Sequence, residues 1–315
     1  MMMKTDRYKD HSVRRASFGW GLALCALLAA GCDNGSDGLP GSETDVRDTP
    51  LCMQEISLET EEEAEQATTR ATVTSWSNGD RIGAVAYTTA NEFYKDLTIC
   101  PYTYGSSWGS TTPLYLGMAT TDVYLYYPYQ TTDTDPRKIG MKITQFSYDD
   151  QSNKTLSWGK VTGRSSTNAS TGGSAVVLTH AYSKLYLILK GSTGMAGAKV
   201  KSITLTGYAS GAYLNLLDGT CTLSGSDSFI YEKEITLNTS GQQYLNVLIP
   251  PASGLESVTP KLQVDVEGVI LTCNMPKITE ANKWYSVTAT INSREIEVEE
   301  VTFEPWTTRK EEVEI

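Results

Sequence analysis

Two histidines in 315 residues set the first limit on chemistry. His11 lies in an N-terminal stretch read below as a cleaved signal, so the mature chain keeps His180 alone. One imidazole cannot build a multi-histidine metal site, and any histidine-assisted nucleophile would rest wholly on it. His180, within Leu178-Thr179-His180-Ala181-Tyr182, opens an apolar run and reads as a core or edge histidine. Of six cysteines, Cys25 leaves with the signal and Cys32 is modified. Cys52, Cys100, Cys221 and Cys273 remain without the CxxC spacing a zinc site wants. They fit either isolated buried thiols or, in an oxidising compartment, one of three disulfide pairings.

Acidic and glycine-bearing motifs are equally bland. Asp133 and Asp135 sit in a Thr/Asp/Pro turn with no third ligand of calcium-loop spacing. Asp149-Asp150 beside Tyr148 reads as a solvated loop rather than an acid pair. Asn78-Gly79-Asp80 before a β run is a hairpin turn, not a phosphate cradle. Ser224-Gly225-Ser226 lacks the second glycine of a nucleophile elbow. Tyr124-Leu125-Tyr126-Tyr127-Pro128-Tyr129 offers rings that could stack on a sugar, although alternate side chains of a strand turn inward. The residues therefore predict a non-enzyme that needs neither metal nor cofactor.

The elements behind these motifs are strands. Forty threonines, 18 tyrosines and 26 glycines favour β structure with many turns. Period-2 alternation recurs in 123–127, 185–189, 245–249, 262–266 and 285–291, broken by Asn78-Gly79, Asp218-Gly219, Pro250-Pro251 and Glu267-Gly268. Short strands at regular spacing indicate antiparallel sandwiches, and the length suits two domains. The Gly/Ser/Thr/Asn stretch 163–174 reads as a linker or a long loop, and a boundary at its end places the domains at 71–174 and 175–315.

Charge is uneven. The net −11 gathers −10 in residues 33–69 and −5 in residues 294–315, while 70–293 is nearly neutral. An isoelectric point near 4.8 excludes nucleic acid as a partner. The block Glu59 to Glu65 reads first as a solvated tail. At the other end, basic residues up to Arg14-Arg15 precede 13 apolar residues, Phe18 to Ala30, and then Leu28-Ala29-Ala30-Gly31-Cys32. That run is too short for a membrane span and suits a signal peptide, and the box matches the bacterial lipobox. Residues 1–31 are thus the expected signal, with Cys32 taking the lipid. Two or three acyl chains make such an anchor effectively permanent. Residues 32–70 follow as an acidic lipidated propeptide and tether.

Trp76-x-x-Gly79-Asp80-x-Ile82-Gly83, Tyr126-Tyr127-Pro128-Tyr129, Leu178-x-His180-Ala181-x-x-Lys184-Leu185, Leu248-Ile249-Pro250 and Trp284-Tyr285, in this order after a lipobox, resemble the fimbrillin-like lipoproteins of the Bacteroidetes. The resemblance implies an all-β chain of two transthyretin-like sandwich domains in tandem and a role as a type V pilus subunit. It further implies export to the outer membrane as a lipoprotein, cleavage by an Arg-specific protease, and polymerisation by strand exchange with other pilus subunits.

Under that resemblance Arg70 is the expected cut site, with Ala71 the new N-terminus. Ile56 and Leu58, upstream, could plug a groove; the rival site Arg47 would leave them attached. The donor strand needs apolar residues at alternate positions. Ile296 and Val298, and later Val313 and Ile315, alternate with glutamates in this way. We assign 295–303 to an intrinsic strand and 310–315 to the donor tip. An uncleaved anchor, a tip adhesin or a glycan-binding lipoprotein is the alternative.

Overall fold

The computed structural model describes residues 49–309, apart from 54, 60–61, 64–71, 74–75, 89–97, 146–154, 171–175, 242 and 307. Strands account for almost all regular structure; the one helical piece among the described residues is a 3-10 turn, Thr193–Met195. The all-β expectation is met.

The first sheet has eight strands. In spatial order they are Thr72–Val73, Ile56–Glu59, Val176–His180, Ser157–Arg164, Thr121–Tyr127, Arg81–Thr88, Cys100–Tyr104 and Trp108–Gly109. Both faces of its central strands are buried, which is why Ile82 to Ala86 and Val123 to Tyr127 run apolar rather than alternating cleanly. One face packs under Leu51, Met53, Leu114 and Leu116. The other meets a three-stranded sheet of Ile139–Lys142, Gly211–Leu214 and Cys221–Gly225.

The second sandwich sets five strands, ordered Thr144–Gln145, Gln243–Ile249, Ser183–Gly191, Lys283–Ile291 and Ile296–Pro305, against Phe229–Tyr231, Lys199–Thr206, Lys261–Val266 and Val269–Asn274. Its core holds Leu185, Leu187, Val247, Val264 and Val287. The Glu267-Gly268 turn forms as expected: both residues take positive φ, 53° and 93°, and the Gly268 amide donates to Asp265. Pairing is antiparallel except at three places among the described strands, one of them the short pair Thr308–Arg309 with Glu62–Glu63. Ser183–Gly191 runs parallel to Lys283–Ile291, and Ile56–Glu59 runs parallel to Val176–His180.

The expected division at residue 174 needs correction on two counts. Val176–His180 hydrogen-bonds to Ser157–Arg164 and so belongs to the first sheet. The hairpin Gly211–Leu214 and Cys221–Gly225 pairs with Ile139–Lys142 and packs on Val85, Tyr124 and Tyr126. A segment from the second half of the chain therefore completes the first sandwich. Continuous stretches of sequence cannot divide the two, and the described residues hold together as one unit.

Candidate functional site

The segment from Thr49 to Glu59 is built into the first sandwich. Thr49–Pro50 pairs with Tyr115–Leu116. The Leu51 amide donates to the Leu114 carbonyl at 2.7 Å, and the Tyr102 hydroxyl donates to the Leu51 carbonyl at 3.1 Å. Leu51, Met53 and Ile56 are all buried in one apolar cluster with Val176 and Leu178, and Leu58 packs on its border. Ile56 and Leu58 do occupy a groove, and Leu51 and Met53 extend the same plug.

Polar contacts fix the plug's register. Val176, Val177 and Leu178 pair with Ile56, Ser57 and Leu58. The Trp76 indole donates to the Ile56 carbonyl at 2.6 Å, and the Val176 amide donates to the Glu55 carbonyl at 2.8 Å. On the side away from the apolar cluster, the Ser57 hydroxyl donates to the Val176 carbonyl at 3.4 Å. Glu59 is only 4 % exposed, not a member of a solvated acidic block, because its carboxylate accepts the Asn282 side-chain amide at 2.8 Å. A buried carboxylate needs such a donor.

Asn282 is itself held rigidly. It adopts a left-handed conformation, φ 57°, which asparagine tolerates better than most side chains. Its amide donates to the Tyr182 carbonyl, and its carbonyl accepts from the Trp306 amide. Trp306 stacks on the His180 ring at 4.3 Å. His180 is buried, its Nδ1 lying 2.9 Å from the Thr155 hydroxyl, while its ring donates to the Glu59 main chain. Burial, helped by the nearby Lys184 charge, lowers its pKa to about 4, and the bond to Glu59 opposes that shift. A neutral ring therefore donates upward to the plug and accepts from Thr155. The Lys184 ammonium lies buried over the Trp284 ring at 4.0 Å. The C-terminal segment reaches the same hub: Thr308–Arg309 pairs in parallel with Glu62–Glu63.

Of the residues expected to carry function, Cys32, Arg70, Ala71, Val313 and Ile315 lie outside the described residues. Ile296 and Val298 lie on the strand Ile296–Pro305, with Ile296 buried in the second core and Val298 packed against it. Cys52, Cys100, Cys221 and Cys273 are free thiols. The Tyr124 to Tyr127 rings are buried, so they support the first sandwich rather than a sugar platform. Asp133 accepts from Tyr126 and Asp135 from Arg137, each thus committed to a neighbour. Asp149 and Asp150 lie outside the described residues.

What the geometry does is seat a buried strand between two neighbours. Hydrogen-bonding edges, alternating apolar seats and a terminal polar hub all converge on Ile56–Glu59, and among its hydrogen-bonding partners are Thr72–Val73 on its outer edge, Trp76, Val176–His180 and Asn282.

Comparison with known proteins agrees with this architecture. The model of the fimbrillin-like family matches residues 69–306. A search of curated protein sequences gives no match. Among solved structures, a candidate cell adhesion protein from Bacteroides ovatus is similar with a TM-score of 0.58 at 16 % identity, over 84 % of this chain and 100 % of that one. Another from Bacteroides uniformis gives 0.52 at 20 % identity, over 82 % and 98 %. At such identities the likeness is one of fold.

Proposed function

The chain belongs to the fimbrillin-like family, and from that membership we propose that it is a structural subunit of a bacterial surface pilus, without catalytic activity. It is made as an outer-membrane precursor lipidated on Cys32. An Arg-specific protease cuts it after Arg70, and other subunits join it by strand exchange. The observation that carries this reading is the seating of Ile56–Glu59. This strand is buried between two edges, lies upstream of Arg70, and is gripped chiefly by residues downstream of it. Extended peptides bind by completing sheets in this way, with backbone bonds for affinity and alternate pockets for side chains. The start of the family match at residue 69, beside Arg70, is consistent with a mature body beginning at Ala71.

N-terminal sequencing of the chain recovered from the cell surface tests the proposal. A start at Ala71 is expected, with Arg70→Ala leaving a lipid-anchored monomer. A mature product that begins at Cys32, or fibres of normal length from the Arg70→Ala chain, would overturn the processing step and favour an uncleaved anchor.

A further inference from the structure

We propose that Lys184 and Asn282 join in an isopeptide bond, formed by the chain itself with Glu59 as proton carrier and ammonia released. The three residues meet at the hub beneath Ile56–Glu59, whatever the fate of strand exchange.

Lys184 is fully buried, a rare placement for lysine, with its ammonium 4.0 Å over the Trp284 ring. Asn282 presents its carboxamide to the same hub. Its Nδ2 donates to the Glu59 carboxylate at 2.8 Å, while its Oδ1 is buried and accepts no hydrogen bond among the described residues. Glu59 is buried as well. The strands bring amine and amide within reach. Ser183–Gly191 and Lys283–Ile291 run parallel with Lys184 opposite Trp284, and just before them the Asn282 main-chain amide donates to the Tyr182 carbonyl. Lys184 and Asn282 are therefore diagonal neighbours. Strand spacing and rise put their Cα atoms about 8 Å apart, which the two side chains together span. His180 ties in the third group, because it feels the Lys184 charge and its ring bonds the Glu59 main chain.

The reaction balances without an oxidant or a cofactor. The Lys184 ammonium passes a proton to Glu59, and the neutral amine attacks Cγ of Asn282. Charge gathers on Oδ1. Two residues on, the Trp284 indole N–H is a buried donor with no partner among the described residues, and it serves to receive that charge. The attacking nitrogen loses a proton and Nδ2 gains one through Glu59. The Cγ–Nδ2 bond then breaks, and ammonia leaves with the proton that Glu59 first received. One amide has replaced another, Glu59 is again a carboxylate, and the new N–H can donate to it. Burial keeps water from taking the place of the amine. On the processing reading above, Glu59 departs with the segment upstream of Arg70, so the bond is made in the precursor and outlasts that segment. It closes a loop of about 100 residues in the unfolded chain, as a long-range disulfide would.

Peptide mapping of the full uncut chain by mass spectrometry tests this. Trypsin does not cut at an acylated lysine. The expected product is peptide 165–190, intact at Lys184, joined to peptide 278–283 and one ammonia lighter than their sum. Separate peptides 165–184 and 278–283 at full mass would overturn the cross-link. An ammonia loss without the branched peptide belongs to a succinimide, such as Asn78-Gly79 can form, and overturns it equally. Asn282→Gly suits the left-handed backbone there and should release both peptides. In Glu59→Gln, sampled over time after synthesis, joining is expected to slow at least about a hundredfold. An unchanged rate would overturn the role of Glu59 as proton carrier.

Discussion

The strand Ile56–Glu59 and the far half of Ile296–Pro305 carry one alternation and live in opposite surroundings. The first lies between Val176–His180 and Thr72–Val73, with Ile56 only 5 % exposed and Glu59 met by Asn282. The second borders its sheet, and Phe303, two-thirds exposed, has Tyr285 as its ring neighbour at 6.2 Å. Side-chain pattern alone does not decide whether a strand is sealed or open; the edges and hubs on either side decide it. An exposed apolar edge invites pairing with another chain, and the glutamates at 297, 299, 300 and 304 oppose such pairing through charge.

The sharpest break in this comparison comes from truncating its two ends. Ile56→Ala removes a buried side chain in a packed cluster and is expected to cost about 2–5 kcal/mol of precursor stability. Phe303→Ala, largely in water, should cost less than about 1 kcal/mol. Urea midpoints of the uncut variants measure both. Equal losses would show that the edge strand is as sealed as the plug and would erase the distinction.

That distinction was only half legible in the sequence. Alternation at Ile56 and Leu58 identified a plug, and that at Leu51 and Met53 was there to be read as its continuation. The Glu59 carboxylate was misread as part of a solvated block, because its partner Asn282 lies 223 positions away and no local rule links them. The Gly211–Leu214 hairpin was invisible as a piece of the first sandwich for the same reason: period-2 alternation says that a strand has a buried face, not which sheet buries it. Turns such as Glu267-Gly268 were legible because their cause is local backbone freedom. His180 was read as a core or edge residue, and so it is, but its stacking on Trp306 and its bond to the plug depend on three distant segments.

A second test separates the two regions by pH. His180 titrates at about 4 in the folded chain and near 6.5 when released. Between those values the unfolded state holds the extra proton, so stability rises with pH by up to about 1.4 kcal/mol per pH unit and is full above 6.5. The total is about 3 kcal/mol, lost as the solution is acidified from 6.5 toward 4. His180→Gln should flatten this part of the profile, whereas Phe303→Ala should shift the whole curve and keep its slope. A profile unchanged by His180→Gln would place the acid sensitivity outside the plug hub.

The mildest test lies at the bulge between the sealed and open halves of the edge strand. Glu299, skipped by the ladder, accepts from the Lys190 ammonium at 3.2 Å and from the Thr290 hydroxyl at 2.5 Å, and these bonds lower its pKa. Both charged side chains are at least about a third exposed, so the pair is screened and contributes no more than about 0.5 kcal/mol. Glu299→Gln should therefore leave the urea midpoint nearly unchanged and cancel a small salt dependence of stability. The effect expected at the bulge is local: faster amide hydrogen exchange from Glu300 to Glu304, with Lys283–Ile291 unaffected in its pairing to Ser183–Gly191. Exchange that quickens equally across the whole five-stranded sheet would mean that the edge strand opens only with its sheet, and the open half would then be no more detachable than the sealed one.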